Sequence, residues 1–286
     1  MSTATRPTSP TVRPVEDEID VFGLTDGGRV RTRNEDQFLI ASLHRTMRVH
    51  GTSLPTAALG PLASGSRGWL LLVADGLGGE ADGDQASERA LTSIARYATH
   101  TLKYCHSADH EEQREFLTQL QRTVLLVHEQ IKSSGTGMAT TLTMVVVMWP
   151  HAYLVHVGDS RCYRLRDGRL ELLTLDQTMA QALYEAGALS AEDVHTSRLR
   201  HVLVSALGGD AATPLAAPID CAWDDVVLLC TDGLTRHVTD DEIADHLRAQ
   251  ASAEETCRSL VALALERGGR DNITVVNGRL RARHTA

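Results

Sequence analysis

TTLTMVVVMWPHAYLVHVGDSRCYRLRDGRLELLTL, residues 140–175, decides the fold class of this chain. It breaks into TTLTMVVVMW, AYLVHVGD, RCYRLRDG and RLELLTL, four β-like runs joined by tight polar turns. A parallel crossover needs a dozen or more residues, usually a helix, and no such room exists here. The stretch therefore reads as an antiparallel meander rather than a βαβ series. Upstream, WLLLVA (69–74) is a continuous apolar strand of the kind buried on both faces, and it delivers Asp75 into the Gly-rich turn GLGG. Between these runs, helical spacing begins at Asp84 and aligns Ala86, Ala90, Leu91, Ile94, Ala95 and Ala98. A second helix over about 111–132 aligns Phe116, Leu117, Leu120, Val124, Leu125 and Val127.

At the N-terminal side, IDVFGLTD (19–26) and QFLIASL (37–43) are β-like runs with a polar, Gly-containing connection, read as a hairpin. Downstream, Gln177 to Leu207 is helical and irregular, a candidate flap, in which Ser190 and Asp193 have the spacing of a helix N-cap. VVLLC then delivers Asp232, two helices follow over about 239–249 and 253–268, and NITVVNGRLRA closes the chain as a strand after Asp271. Residues 1–18, rich in Thr, Pro and Ser, read as a disordered tail, and 44–67 as a surface insertion loop. A single domain over 19–282 is expected, without linker or repeat.

The 286 residues are 42% hydrophobic and 23% charged, an ordinary globular composition. The formal net charge of -9 argues against a nucleic-acid partner and mildly against an anionic membrane surface. The longest apolar stretches, such as MVVVMW (144–149), fall far below the roughly 18 to 20 residues of a spanning helix. Cys105, Cys162, Cys221, Cys230 and Cys257 are odd in number and never form CxxC, as expected of reduced thiols in a cytoplasmic protein. A monomer is expected.

Five acids stand beside glycine or asparagine, or close to them: Asp36 in RTRNED, Asp75 in VADG, Asp159 in VGDS, Asp232 in CTDG and Asp271 in GRDN. Most lie at the edge of an apolar run, and acids at strand ends converge when strands align. Gathered carboxylates repel unless a cation neutralises them, which points to a hard divalent metal. No His or Cys follows a zinc spacing, so magnesium or manganese is favoured. Glycine after Asp75 and after Asp232 lets the backbone approach closely, and Gly76 could offer its carbonyl as a ligand. Arg31 and Arg33 are the nearest candidates for a phosphate fork.

Each Asp-Gly pair alone is more often a turn. GLGG does not complete a dinucleotide loop, and DGLGGEADGD lacks the acid spacing of a calcium loop. The ordered set GLTDGGRVRTRNED, VADGLGGEADGDQAS, GMATTLT, VHVGDSRCYRLRDG, LLCTDGLT and GGRDNITVV, however, resembles the PPM family, metal-dependent serine/threonine phosphatases of protein phosphatase 2C type, in its bacterial form. The resemblance runs from about Asp20 to Leu280.

It implies an α+β fold of two packed antiparallel β-sheets flanked by helices on both sides, a four-layer α-β-β-α sandwich. It implies two core Mn2+ or Mg2+ ions, with Asp75 bridging, the Gly76 carbonyl binding one, and Asp232 and Asp271 completing the pair. Asp159 matches the position linked to a third ion. Arg31 matches the phosphate-binding arginine, Asp36 acts through metal-bound water, and Glu35 and Asn272 orient waters or ligands. By that resemblance the chain hydrolyses phosphoserine or phosphothreonine in proteins with metal-activated water, opposing a cognate bacterial serine/threonine kinase. Three departures stand out: Leu77 where many eukaryotic relatives carry a proposed general-acid His, Glu80 in the first Gly-rich turn, and Gln177 where the flap usually has His. The general acid is thus unassigned, a metal-bound water being the default. The rival readings are a non-catalytic phosphoprotein-binding pseudophosphatase, whose mark would be a lost metal aspartate or arginine, and a regulatory phosphatase of anti-sigma-factor antagonists. Arg33 and the histidines, His156 included, read as solvated or structural groups, and Trp149 and Trp223 as packing.

Overall fold

Strand residues alternate between two faces, so a strand apolar on both must be covered on both. In the computed structural model, which describes residues 14–44, 68–77, 82–100, 110–135, 137–249 and 252–281, that is how the middle of the molecule is built. The strands are β1 (Ile19–Asp26), β2 (Gln37–Leu43), β3 (Gly68–Ala74), β4 (Gly76–Leu77), β5 (Ala139–Thr140), β6 (Leu142–Met148), β7 (His151–Val157), β8 (Arg161–Arg166), β9 (Arg169–Leu172), β10 (Leu215–Ile219), β11 (Val226–Cys230) and β12 (Ile273–Leu280). One antiparallel sheet runs β1-β12-β11-β8-β9 and the other β10-β7-β6-β3-β2, while β4 and β5 form a short separate pair.

The helices are α1 (Gly83–His100), α2 (His110–Lys132), α3 (Met179–Glu185), α4 (Ala191–Thr196), α5 (Asp232–Thr235), α6 (Asp240–Arg248) and α7 (Ala253–Glu266). Leu70 and Leu72 of β3 pack under Ala90, Ile94, Leu120 and Val124 of α1 and α2. Leu71 and Val73 point the other way and meet Leu229 and Val276 of the facing sheet. On the far side, Leu228, Cys230 and Val275 lie under Ile243, Leu247, Leu260 and Val261 of α6 and α7. The result is the expected α-β-β-α order of layers.

Two local pairings differ from expectation. β1 and β2 are not a hairpin: β1 pairs with β12 from Ile19↔Leu280 to Asp26↔Ile273, and β2 pairs with β3. They belong to opposite sheets and face each other, so closely that a Cβ on Gly23 would lie 2.4 Å from Phe38. Their ten-residue connection carries the chain across the sandwich. Likewise the meander is two hairpins, β6–β7 in one sheet and β8–β9 in the other. The chain changes sheet at Gly158-Asp159-Ser160, where Gly158 has φ +105° and a Cβ would strike Thr141 at 2.6 Å. Alternation specifies which residues are buried, and is silent about which sheet a strand joins.

The buried stripe of α2 is Phe116, Leu120, Val124, Val127 and Ile131, whereas Leu125, expected on that face, is exposed. Ser190 caps α4, accepting the Asp193 N–H and donating to Asp193 Oδ2 at 2.6 Å. Of the expected tail, residues 14–18 are described and carry a 3-10 turn over Glu16–Glu18; residues 1–13, Glu80, Cys105 and residues 45–67 of the insertion loop lie outside the described residues. Among the described cysteines, Cys162, Cys221, Cys230 and Cys257 are free thiols. Trp149 and Trp223 pack on each other at the rim with ring centroids 5.8 Å apart. Among the described residues no helix is long and apolar enough to cross a membrane.

Candidate active site

The five sequence-selected acids come to one end of the sandwich because each follows or precedes a strand at that end. Asp75 directly follows β3, Asp232 and Asp159 each come two residues after β11 and β7, Asp36 directly precedes β2, and Asp271 precedes β12. Strands of both sheets contribute, so closing the sandwich is what assembles the cluster.

Asp75 lies at its electrostatic centre. Burial first, then Asp36, Asp232, Asp159 and Asp271, raise its carboxyl well above the usual range. Burial and the charges of Asp232 and Asp271 push Asp36 up to about 7, against hydrogen bonds from Thr231 and Thr274 that favour the carboxylate. Asp159 is pushed up to about 8 by burial, Asp232 and Asp176. Asp232 is also raised, mainly by burial, with Arg236 opposing. Like charges brought together out of water resist ionising in company, and a cation among them removes that penalty.

Backbone spacing at the cluster leaves no room for side chains at two glycines. A Cβ on Gly76 would lie 2.2 Å from the Gly83 carbonyl oxygen and 2.7 Å from that of Glu35; one on Gly233 would lie 1.8 Å from that of Asn272. These contacts draw the β3 and β11 turns onto the Glu35 and Asn272 segments.

Threonines, which the sequence reading passed over, hold the acids. Thr231 donates to Asp36 Oδ2 at 2.8 Å and accepts the Thr274 N–H at 3.0 Å, and the Thr274 and Thr25 hydroxyls lie 2.7 Å apart. Thr141 accepts the Asp75 N–H at 2.9 Å and lies 2.7 Å from the Ser160 hydroxyl. A hydroxyl run along strand ends, as in TTLT, is the signal that could have identified them. Asn272 accepts the Glu35 N–H and donates to the carbonyls of Gly27 and Arg33, which fixes the loop bearing Arg31. Glu35 lies against Gly83, and burial raises its carboxyl.

Arg31 holds Asp271, with Nε 2.7 Å from Oδ1 and Nη2 donating to Oδ2 at 3.0 Å. Arg33 is exposed, its nearest carboxylate being Asp84 at 3.9 Å. A second guanidinium, Arg236, donates to Asp271 Oδ2 at 2.7 Å and to Asp232 Oδ2. Sequence reasoning missed it, although its place four residues after Asp232 at the start of a helix is the spacing of an ion pair. His156 is structural: burial lowers it to about 4, and its ring nitrogens meet the Thr143 hydroxyl and the Leu175 carbonyl. Gln177, the departure in the flap, accepts the Gly158 N–H at 3.0 Å and so ties the flap to the Asp159 turn.

Among the described residues no group of three or more His, Cys, Asp or Glu is set to grip a metal ion as it stands. Arg31 and Arg236 occupy oxygens of Asp271 and Asp232. The donor set nevertheless suits a hard cation: it is all oxygen, crowded, and held with raised carboxyl pKa values. Beside it opens a cleft of ≈ 400 Å³ lined by Asp159, Thr178, Gln181, Arg200, His201 and Arg236 among others, with the flap as its outer wall.

A family profile described as Protein phosphatase 2C matches residues 58–267. The serine/threonine protein phosphatase PstP of Mycobacterium tuberculosis is 35% identical over 213 residues, covering 72% of this chain and 39% of that protein. The chain thus spans well under half the length of that relative. Serine/threonine phosphatase stp of Listeria monocytogenes is 29% identical over 259 residues, covering 88% of this chain and 92% of that one. The crystal structure of the PstP catalytic domain in complex with two manganese ions matches with a TM-score of 0.69 at 29% identity, covering 92% of this chain and 99% of that one.

Proposed function

The chain belongs to the protein phosphatase 2C family, and on that premise we propose that it is a metal-dependent phosphatase of phosphoserine and phosphothreonine in proteins. One observation carries this reading: Asp36, Asp75, Asp159, Asp232 and Asp271 crowd one end of the sandwich, where the Asp75 carboxyl feels all four others. In this reading Asp75, Asp232, Asp271 and the Gly76 carbonyl hold two ions, with Asp159 serving a third. Mg2+ or Mn2+ bound there supplies Lewis acidity toward a phosphoryl oxygen and toward water.

The chain's own groups then have distinct tasks. Arg31, with its side chain half exposed beside Asp271, turns its planar fork to the phosphate, for which two parallel N–H donors are well matched. Asn272 keeps the loop that carries Arg31 in place through Gly27 and Arg33. Thr231 fixes the direction of Asp36, and the Glu35 carboxyl lies in the field of Arg31 and Asp271. A phosphorylated serine or threonine implies a kinase that made it, so the partners are phosphoproteins and a bacterial serine/threonine kinase, acting in the cytoplasm in signal transduction. The pseudophosphatase alternative gains no support, since every acid and Arg31 are retained.

Phosphate release from p-nitrophenyl phosphate and from a phosphothreonine peptide, with and without manganese, tests this against Asp232→Ala. Manganese-dependent turnover that vanishes in the variant is the expected result. A folded wild type with no turnover in manganese would sink the proposal.

A further inference from the structure

Arg236 stands where α5 ends, four residues beyond Asp232, and its one guanidinium spans two aspartates of the cluster. Nη1 donates to Asp271 Oδ2 at 2.7 Å while Nη2 donates to Asp232 Oδ2. A guanidinium presents donors only, and each N–H takes a carboxylate lone pair that a cation would otherwise face. Each oxygen keeps a second lone pair, so what opposes a divalent ion here is the repulsion between like charges at such range. Arg31 differs, for among the described residues it bonds Asp271 alone, and half its side chain is exposed. Arg236 is more buried, at 33% exposure, and bridges both acids.

We propose that Arg236 is an internal counter-cation: it neutralises Asp232 and Asp271 when no metal is bound, and its charge competes with a divalent ion for both. The inference rests on the proposed metal role of those two acids. It makes the acid cluster stable to fold while empty, and it raises the ion concentration needed to fill it. Deleting the guanidinium therefore has two effects of opposite sign. The metal-free protein loses its neutralising charge and becomes less stable, while Asp232, now free, and Asp271, left to Arg31, bind a divalent ion more tightly. An arginine with only a packing role would weaken both.

The test is calorimetric titration of Mn2+ alone into the metal-stripped full chain, with melting temperatures in chelator, for wild type, Arg236→Ala, Arg236→Lys and Arg200→Ala. Arg200 lines the same cleft but bonds His201 Nε2 at 2.9 Å and the His195 carbonyl, away from the acids. It therefore reports any general effect of removing positive charge. Arg236→Ala is expected to bind Mn2+ roughly tenfold or more tightly, because a nearby like charge is gone, and to melt lower in chelator. Arg236→Lys falls between, because an ammonium cannot span both carboxylates, and Arg200→Ala tracks the wild type. Unchanged or weaker Mn2+ binding by Arg236→Ala, or equal tightening by Arg200→Ala, overturns the role of Arg236. Absence of Mn2+ binding in all four proteins at millimolar metal would overturn the metal reading too, and with it the proposed function.

Discussion

The two ends of the sandwich are made by the same strands and obey opposite rules. At one end, Asp36, Asp75, Asp159 and Asp232 crowd together with carboxyls all raised by burial and by one another, and threonines, Asn272 and two arginines hold them. At the other, Ile19, Val21, Leu71, Val147, Ile219 and Val227 line an apolar cleft between the sheets. There the buried donors Trp69 Nε1, Trp149 Nε1, Arg164 Nε and Arg279 Nε have no hydrogen-bond partner among the described residues. The acid end spends stability on charge that only a cation relieves, as functional sites commonly do. The apolar end is held by contact and tolerates a few dry donors. Chemistry is therefore confined to one end, and changes of similar size should have unequal effects at the two.

The largest effect is expected from Asp75→Asn. It preserves shape and removes the carboxyl on which the fields of the other four acids converge, so metal-dependent turnover should fall by roughly 1,000-fold, the upper range for one group stabilising transition-state charge. The metal-free fold should melt no lower than wild type, because a repelling charge is gone. Near-wild-type turnover would break the division between the ends. Next comes a pair of glycines. Gly233→Ala puts a Cβ 1.8 Å from the Asn272 carbonyl oxygen, a clash with backbone, whereas Gly278→Ala in the apolar cleft meets side-chain methyls, Leu71 Cδ1 at 3.3 Å and Val21 Cγ2 at 3.8 Å. Urea unfolding should show a loss of about 3 kcal/mol or more for the first and under about 1 kcal/mol for the second. Equal losses would mean that the acid end is no more tightly specified than its opposite.

Much of this division is legible in the chain. WLLLVA announces a strand covered on both faces, and it is, with Leu70 and Leu72 under helices and Leu71 and Val73 between the sheets. Acids at strand ends announce their own convergence. Pairing is not legible: β1 and β2 read as a hairpin and lie in opposite sheets, because β1 takes its partner from β12, some 250 residues away. The same limit hid Arg236 and Thr231, whose partners Asp271 and Asp36 are distant in sequence. Leu125 was misplaced for another reason: helical spacing gives a wide apolar arc, and only tertiary contact shows where the buried part of it ends.

A smaller effect follows from pH. Folding raises Asp36 to about 7 and Asp159 to about 8, from about 3.9 in an unfolded chain. The folded state thus binds more protons between these values, so stability is fully present below about pH 4 and is lost as pH rises through 7 to 8. Metal-free protein should melt a few degrees lower at pH 8 than at pH 5, and manganese should flatten that slope. At the apolar end, burial pushes the Cys221 thiol up to about 12, outside this window. A melting temperature that climbs steadily from pH 5 to 8 without metal would show that the acids are relieved by other means.

The smallest difference is the sharpest probe of the comparison, because it removes one donor at each end. Thr231→Val deletes the hydroxyl that gives Asp36 its 2.8 Å hydrogen bond and that accepts the Thr274 N–H. It leaves a buried carboxylate and a buried amide short of partners, worth about 2 kcal/mol. Trp149→Phe deletes an indole N–H that has no partner among the described residues to lose. The cost of a smaller ring against Trp223 is offset by relief of a desolvated donor, so the net change should stay within about 1 kcal/mol. Chemical denaturation of the two variants side by side separates the cases. If Trp149→Phe proved as damaging as Thr231→Val, the apolar end would owe its stability to a polar interaction of that indole, and the contrast between an end held by hydrogen bonds and an end held by contact would fall.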